Sequence, residues 1–122
     1  MPITKIVSGG QTGVDQGALE ACQWIDFPYG GWIPKGRLTE NGPLPYTFKG
    51  MQEHPSADYL KRTEANVVDS DATVVLCHGK PTGGSLRTIK FAIKHHRPWF
   101  HIRLNRSMES EVKGFVEWLK TD

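Results

Sequence analysis

The residues best suited to chemistry lie in a glycine-rich segment, residues 8–17, which reads SGGQTGVDQG. The segment follows a short β-branched run at residues 3–7 and precedes an amphipathic helical pattern at residues 16–25. At such a strand-to-helix turn, free backbone N–H groups and the helix dipole attract anions. We therefore predict a phosphate-binding turn formed by Ser8, Gly9, Gly10, Gln11, Thr12, Gly13 and Asp15.

The spacing of these glycines argues against two well-known phosphate-binding motifs. The segment matches neither GxGxxG nor GxxxxGK(S/T), so ordinary dinucleotide or triphosphate binding is not predicted. A turn that serves only helix–sheet packing is the alternative interpretation. Because a side chain at Gly10 would fill the path of the anion, we expect Gly10→Val to weaken ligand binding more than it lowers stability.

A second glycine turn, residues 80–85 (KPTGGS), follows an apolar run at residues 73–77 and opens a later helical pattern. The run is typical of a strand that is buried on both faces. Because the carboxyl ends of parallel strands meet at one edge of a sheet, we expect the two turns to line one cleft. The second turn adds Gly83, Gly84 and Ser85 to the predicted site, although two unrelated turns remain an alternative.

Two further groups of residues complete the predicted ligand site. Tyr59, Arg62, Thr63 and Asn66 have the spacing i, i+3, i+4, i+7, which places them on one face of a helix predicted over residues 58–69. The alternative is an ordinary solvated polar face. Near the second strand, an indole that can stack on a heterocycle lies close to two cations that can bind an anion: Trp32, Lys35 and Arg37. The alternative there is a core tryptophan with surface cations.

Metal and nucleophile motifs are weak. The five histidines show no metal-ligand spacing, so no metal site is predicted. Cys22 and Cys77 lie in apolar segments and are interpreted as buried thiols without a Cys–His pairing. Asp15, Glu40 and Glu64 are conceivable acid–base groups, but their spacing selects none of them, and no catalytic residue is assigned.

The elements that position these residues follow the order β-α-β-loop-α-β-α-β-α, with the loop at residues 33–57. Alternating strands and helices predict a Rossmann-like doubly wound parallel sheet in three α/β/α layers. The length of 122 residues suits one domain over residues 1–122. The inward faces of the last two helices are predicted to carry Leu86, Ile89, Ala92, Ile93 and His96, and then Val112, Phe115, Val116 and Leu119 after a Ser107 cap.

Composition restricts the class of protein. With 38% hydrophobic residues and a net charge of +2, the chain is typical of a globular protein, and nucleic acid binding is not expected. The sequence shows no signal-peptide pattern and no apolar run of about 20 residues, so we expect a cytoplasmic protein without membrane contact.

Three motifs together resemble the putative molybdenum carrier family of the SLOG superfamily, which is related to the lonely-guy and lysine-decarboxylase-like Rossmannoid proteins. The matching segments are SGGQTGVDQG at 8–17, GWIPKGR at 31–37 and RTEANVVDSDAT at 62–73. The resemblance implies a Rossmann-like fold and a homo-oligomer, a dimer or tetramer. It also implies a ligand that is a nucleotide or a phosphate-bearing pterin such as the molybdenum cofactor.

The same resemblance bears on catalysis. Phosphoribohydrolases of the superfamily carry PGGxGTxxE with a catalytic glutamate, whereas TGGSLRTIKF at residues 82–91 has no acid there. We therefore expect a carrier that binds a phosphate-bearing ligand in a glycine-rich cleft. The alternatives are a nucleotide-processing enzyme that uses the same cleft and a regulatory module that senses a nucleotide.

Overall fold

The computed structural model describes residues 3–121, which form two compact units, residues 3–66 and residues 67–121. Both units contain parallel strand pairs and helices. The arrangement of the units within one domain over residues 1–122 stays a prediction.

The first unit contains a βαβ element in which helix α1 (Val14–Ile25) connects strand β1 (Ile6–Val7) to its parallel neighbour β2 (Tyr29–Gly30). It also contains the parallel pair β3 (Trp32–Ile33) and β6 (Gln52–Glu53), and the antiparallel pair β4 (Leu38–Thr39) and β5 (Gly42–Pro43). A short 3₁₀ turn covers Lys35–Arg37. Helix α2 spans Tyr59–Val68 and confirms the helix predicted over residues 58–69.

Residues 33–57, predicted as a loop, contain short strands and a 3₁₀ turn, so the prediction was wrong for these parts of the segment. Besides the short strands, this segment sends Leu44 and Phe48 into a buried cluster with Leu19 and Ile33. Strands of two residues are too short to produce a period of two, and the buried side chains are irregularly spaced. The segment therefore contributes to the hydrophobic core without a recognisable pattern in its sequence.

The second unit contains another βαβ element. Strand β7 (Thr73–Cys77) runs parallel to β8 (Trp99–Arg103) over five residue pairs, and helix α3 (Gly83–Lys94) connects them and packs on β7. Helix α4 (Met108–Leu119) packs on β8. The residues of β7 match the prediction, but its burial on both faces was wrong, because Val75 is buried whereas Val74 is exposed.

The predicted inward faces of α3 and α4 are partly wrong. On α3, Ile89 and Ala92 are buried, while Leu86, Ile93 and His96 are exposed or lie beyond the helix. On α4, Val112 and Val116 are exposed, and the buried residue is Glu111. The aromatic rings of Phe115 and Trp118 pack against Phe100 with centroid distances of 5.7 and 5.4 Å. The Ser107 cap is confirmed, since its side chain accepts a hydrogen bond from the Ser110 N–H.

Candidate functional site

Ser8 holds the glycine turn between β1 and α1. Its backbone N–H donates to the Gly30 carbonyl at 2.9 Å, which extends the β1–β2 pairing by one residue. Its hydroxyl donates to the carbonyl of Asp15 at 2.9 Å and accepts from the Gly10 N–H at 3.3 Å. Ser8 is buried, so these bonds are shielded from water and fix where the turn leaves the strand.

Helix α1 begins without a side-chain cap. Its N-cap residue is Gly13, and no side chain accepts a hydrogen bond at this position. Asp15 and Thr12, two residues of types that often cap helices, have other partners here: Asp15 accepts the Gln11 N–H at 3.2 Å, and the Thr12 hydroxyl donates to Glu40 at 3.3 Å. The first backbone N–H groups of α1 thus lack the side-chain acceptor that normally stabilises a helix start.

The amide groups of Gln11 and Gln16 tie the turn to its surroundings. The Gln11 side chain donates to the Leu38 carbonyl at 3.0 Å, and the Gln16 side chain donates to the Gly10 carbonyl at 3.2 Å. These bonds make the turn a defined structure in which the backbone groups have set directions. Gln11 therefore acts here through its connection to β4.

A close approach between Gly9 and two charged side chains forms the centre of the site. The space that a β-carbon on residue 9 would need is filled by the Arg62 guanidinium, and Asp15 Oδ2 lies 3.1 Å from the same point. Arg62 Nη1 and Asp15 Oδ2 are 3.8 Å apart, a long ion pair. The structure thus brings together three of the predicted site residues, contributed by the turn, by α1 and by α2.

Arg62 is a buried cation whose charge and hydrogen-bond donors are only partly balanced by neighbouring groups. The residue is 9% exposed, and its Nε has no hydrogen-bond partner among the described residues. Its guanidinium carbon lies 5.9 Å from the centroid of the Tyr59 ring, within cation–π range. Burial lowers the pKa of Arg62 from its ordinary value, and the charge of Asp15 opposes this shift. A buried arginine without a full set of acceptors favours binding of an additional anion.

Asp15 shows the opposite electrostatic response. Burial raises the pKa of Asp15 above its ordinary value, while the charge of Arg62 and the Gln11 N–H bond act against this increase. Desolvation is the largest of the three causes, so the ionised carboxylate is disfavoured in this position. The site therefore holds a carboxyl group that gains a proton more readily than a surface aspartate does.

Gly10 faces the core rather than an open anion path. Its φ is +71°, and an added β-carbon would lie 2.9 Å from Ile33 Cγ2 and 3.1 Å from Leu44 Cδ2. A valine at this position would clash with the hydrophobic cluster and would also adopt an unfavourable backbone conformation. The expectation that Gly10→Val affects binding more than stability was therefore wrong.

The side-chain amide of Asn66 makes two hydrogen bonds to the backbone of Trp32. Asn66 Oδ1 accepts the Trp32 N–H at 2.7 Å, and its Nδ2 donates to the Trp32 carbonyl at 3.0 Å. The Trp32 ring makes an edge contact with His54 at a centroid distance of 5.7 Å. On the same helix, the Thr63 hydroxyl donates to the Tyr59 carbonyl at 2.8 Å. In this arrangement Asn66 links α2 to β3.

Arg37 stabilises the segment that follows it. The residue is buried, and its guanidinium donates to the carbonyls of Leu44, Pro45 and Phe48 at 3.1–3.2 Å. The guanidinium also lies over the Tyr46 ring at 4.6 Å. The alternative in which both cations are on the surface holds only for Lys35, which is exposed.

The second glycine segment, residues 80–85, leads from β7 into α3 as predicted, but Gly83–Ser85 already form the first turn of the helix. Helix α3 begins at Gly83, two residues before Ser85, and its N-cap Thr82 makes no side-chain capping bond. Like α1, α3 thus begins without a side-chain acceptor for its first N–H groups. One cleft lined by both turns stays a prediction.

Cys77 and His101 form a contact that no pattern in the sequence indicates. Cys77 Sγ and His101 Nε2 lie 3.0 Å apart, and Cys77 is partly exposed, so its interpretation as a buried thiol was wrong; Cys22 is buried as predicted. The register that pairs Val75 with His101 places Cys77 on the same sheet face as His101. Only the strand pairing brings these side chains together, because 24 positions separate them in the sequence.

The described residues contain neither a cluster of metal ligands nor a membrane-spanning helix. Within residues 3–121, no three His, Cys, Asp or Glu side chains are grouped closely enough to hold a metal ion. None of the helices in these residues combines the length and the apolar character needed to cross a membrane.

Comparison with known proteins assigns the family. The crystal structure of the Putative molybdenum carrier protein from Syntrophus aciditrophicus SB matches with a TM-score of 0.88 and 48% sequence identity, covering 93% of this chain and 72% of that one. This similarity confirms the Rossmann-like α/β fold. None of the curated proteins matches significantly. The family described as circularly permutated YpsA SLOG matches residues 6–122, and the chain therefore belongs to this SLOG family.

Proposed function

We propose that the turn at residues 8–15 and Arg62 bind the phosphate of a nucleotide or pterin ligand, and that the protein carries this ligand. The observation that carries the proposal is the Arg62 guanidinium, which is buried with an unpartnered Nε and only a 3.8 Å ion pair to Asp15. A phosphate oxygen beside the guanidinium would help to balance its buried charge, and charge-assisted bonds of this kind are stronger than neutral ones.

The start of α1 supports the same ligand. Its N-cap Gly13 leaves the first N–H groups without a side-chain acceptor, and the helix dipole favours a negative charge at this end. Asp15 adds a carboxyl group whose pKa is raised by burial. An incoming phosphate would increase this tendency to take up a proton, so that Asp15 changes from competitor to hydrogen-bond donor.

The other predicted residues are proposed in two roles. Gly83, Gly84 and Ser85, at the start of α3, are proposed as a second anion-binding turn. Tyr59 and Trp32 offer aromatic faces, while Asn66 and Arg37 act by positioning β3 and residues 44–48. The solved relative is named as a putative molybdenum carrier protein, which supports a molybdenum-bearing ligand as one candidate.

Calorimetry with adenosine 5′-monophosphate and with inorganic phosphate tests the proposal. We expect Arg62→Met, which removes the charge but keeps most of the volume, to weaken binding by about tenfold or more. Arg97→Met is the matched control, because Arg97 Nε is also buried without a partner but lies in the unit of residues 67–121. Equal affinity of wild type and Arg62→Met, for both probes, would exclude the assignment.

A second candidate, an enzyme acting on a nucleotide, is favoured by Asp15. Its raised pKa in a site with a cation is a property of acid–base groups. Asp15→Asn distinguishes the candidates: a carrier retains binding and shows no turnover to lose, whereas an enzyme loses product formation from a nucleotide panel. If wild type formed product and Asp15→Asn did not, the enzyme would be the better proposal than the carrier.

Self-association is also proposed. Several large apolar side chains are exposed on α1 and α4, among them Trp24 at 89%, Ile25 at 69% and Val112 at 50%. Exposed apolar groups on helices are often covered by a partner. Native mass spectrometry of purified protein would report the subunit count and any retained ligand, and a monomer at micromolar concentration would overturn the oligomer.

A further inference from the structure

Cys77 and His101 form a nucleophile–base pair that the proposed phosphate site does not use. Sγ lies 3.0 Å from His101 Nε2 and 3.4 Å from the Gly79 carbonyl. Both side chains are partly exposed, so small reagents have access to them. Cys77 ends β7, immediately before the turn that leads to α3. A thiol within hydrogen-bond reach of an imidazole is the arrangement in which a base activates a cysteine.

The distance suits a direct hydrogen bond between the two side chains rather than a shared metal ion. A tetrahedral zinc ion bound to one sulfur and one nitrogen would hold these atoms about 3.5 Å apart. The observed 3.0 Å is shorter, and within residues 3–121 no third ligand joins a cluster. The two atoms are within hydrogen-bond distance, so the imidazole nitrogen can accept the thiol proton without a bridging water or metal ion.

We propose that His101 activates the thiol of Cys77 and that hydrogen peroxide oxidises this thiol to a sulfenic acid. His101 Nε2 takes the thiol proton, and the thiolate attacks one peroxide oxygen. An S–O bond forms while the O–O bond breaks with its electron pair on the leaving oxygen. The leaving hydroxide takes the proton from the imidazolium and departs as water, which regenerates the neutral imidazole. The sulfur is oxidised by two electrons and the peroxide is reduced, so thiol and peroxide yield sulfenic acid and water.

Peptide mass spectrometry of the folded protein tests this site. The protein is treated with hydrogen peroxide in the presence of dimedone, which traps sulfenic acids, and labelling is followed at both cysteines. We expect Cys77 to be labelled and Cys22, which is 5% exposed, to remain unlabelled. His101→Gln should slow labelling of Cys77 by about tenfold or more, since it removes the base. His78→Gln, which changes the exposed neighbour of Cys77, should stay within about twofold of wild type.

A second measurement does not depend on the folding of a variant. The rate of iodoacetamide alkylation of Cys77 in the wild-type protein is compared with that of an unstructured peptide of residues 73–82. Partial burial alone would make the protein slower, whereas activation by His101 makes it faster. Slower alkylation than in the peptide, or equal labelling of Cys77 in wild type and His101→Gln, would overturn the proposal.

Discussion

The Arg62 guanidinium packs on Gly9 at the position where any other residue would carry a β-carbon. The two residues belong to different elements, the glycine turn and α2, and their contact sets the position of a buried cation beside the start of α1. Glycine at position 9 is therefore required by the neighbour it accommodates. The ion pair with Asp15 and the unpartnered Nε both follow from this placement.

Gly9→Ala should displace Arg62 and thereby weaken binding of a phosphate probe. The methyl group would overlap the guanidinium, so the arginine must move, and overpacking of this kind costs about 1–3 kcal/mol. Thermal unfolding and calorimetry with adenosine 5′-monophosphate measure the two effects. Gly17→Ala, in the interior of α1 with open space around it, should instead be neutral or stabilising by up to about 1 kcal/mol. Equal behaviour of the two variants would contradict the proposed contact.

Gly10→Ala should lower stability by about 2–4 kcal/mol, because the methyl group meets Ile33 and Leu44 and the backbone has a positive φ. Gly13→Ala separates these causes, since Gly13 has a φ of +83° but no atom within 4 Å of an added β-carbon. Its φ of +83° and ψ of −125° form a conformation that L residues rarely adopt, so the backbone contribution alone should cost about 1–3 kcal/mol. Chemical denaturation measures both changes. A Gly10→Ala protein as stable as Gly13→Ala would show that the core accommodates the methyl group.

Long elements and glycine clusters were predictable from the sequence, whereas the interactions between them were not. Helix α2 and strand β7 have patterns long enough to show their period, and residues 8–17 stand out because glycines are concentrated there. The role of Arg37 was missed, since its acceptors are backbone carbonyls of an aperiodic segment. The Cys77–His101 contact depends on the register of β7 and β8, which no local pattern encodes.

Asp15→Asn should increase stability at neutral pH relative to wild type, and the gain should vanish in acid. Burial raises the pKa of Asp15 in the folded state above its value of about 3.9 in the unfolded chain. The stability that comes from its protonation is therefore fully present below about pH 3.9 and is lost as the pH rises through the folded pKa. Urea denaturation of both proteins from pH 4 to pH 8 measures the difference. A gain that grows towards low pH would mean that the pKa of Asp15 is lowered by folding.

Glu111→Gln should show the opposite dependence on pH. The Glu111 carboxylate accepts the Arg103 backbone N–H at 2.7 Å and the Arg103 Nε–H at 3.0 Å, and these bonds lower its pKa in the folded state. Its contribution is present above the unfolded pKa of about 4.3 and is lost as the pH falls through the lower folded value. The variant should therefore melt several degrees below wild type at pH 7, and this gap should close on acidification.

Glu117→Gln is the matched control for Glu111→Gln on the same helix. Glu117 pairs with Lys120 at 3.8 Å, but both side chains are about two-thirds exposed or more, at 70% and 68%. Water and salt screen such a pair, and its contribution to stability is close to zero. Melting temperatures of the two variants across the pH series should thus separate the buried carboxylate, which secures the end of β8, from the solvated one. If both variants behaved alike at pH 7, the contact between Glu111 and Arg103 would have no role in joining α4 to β8.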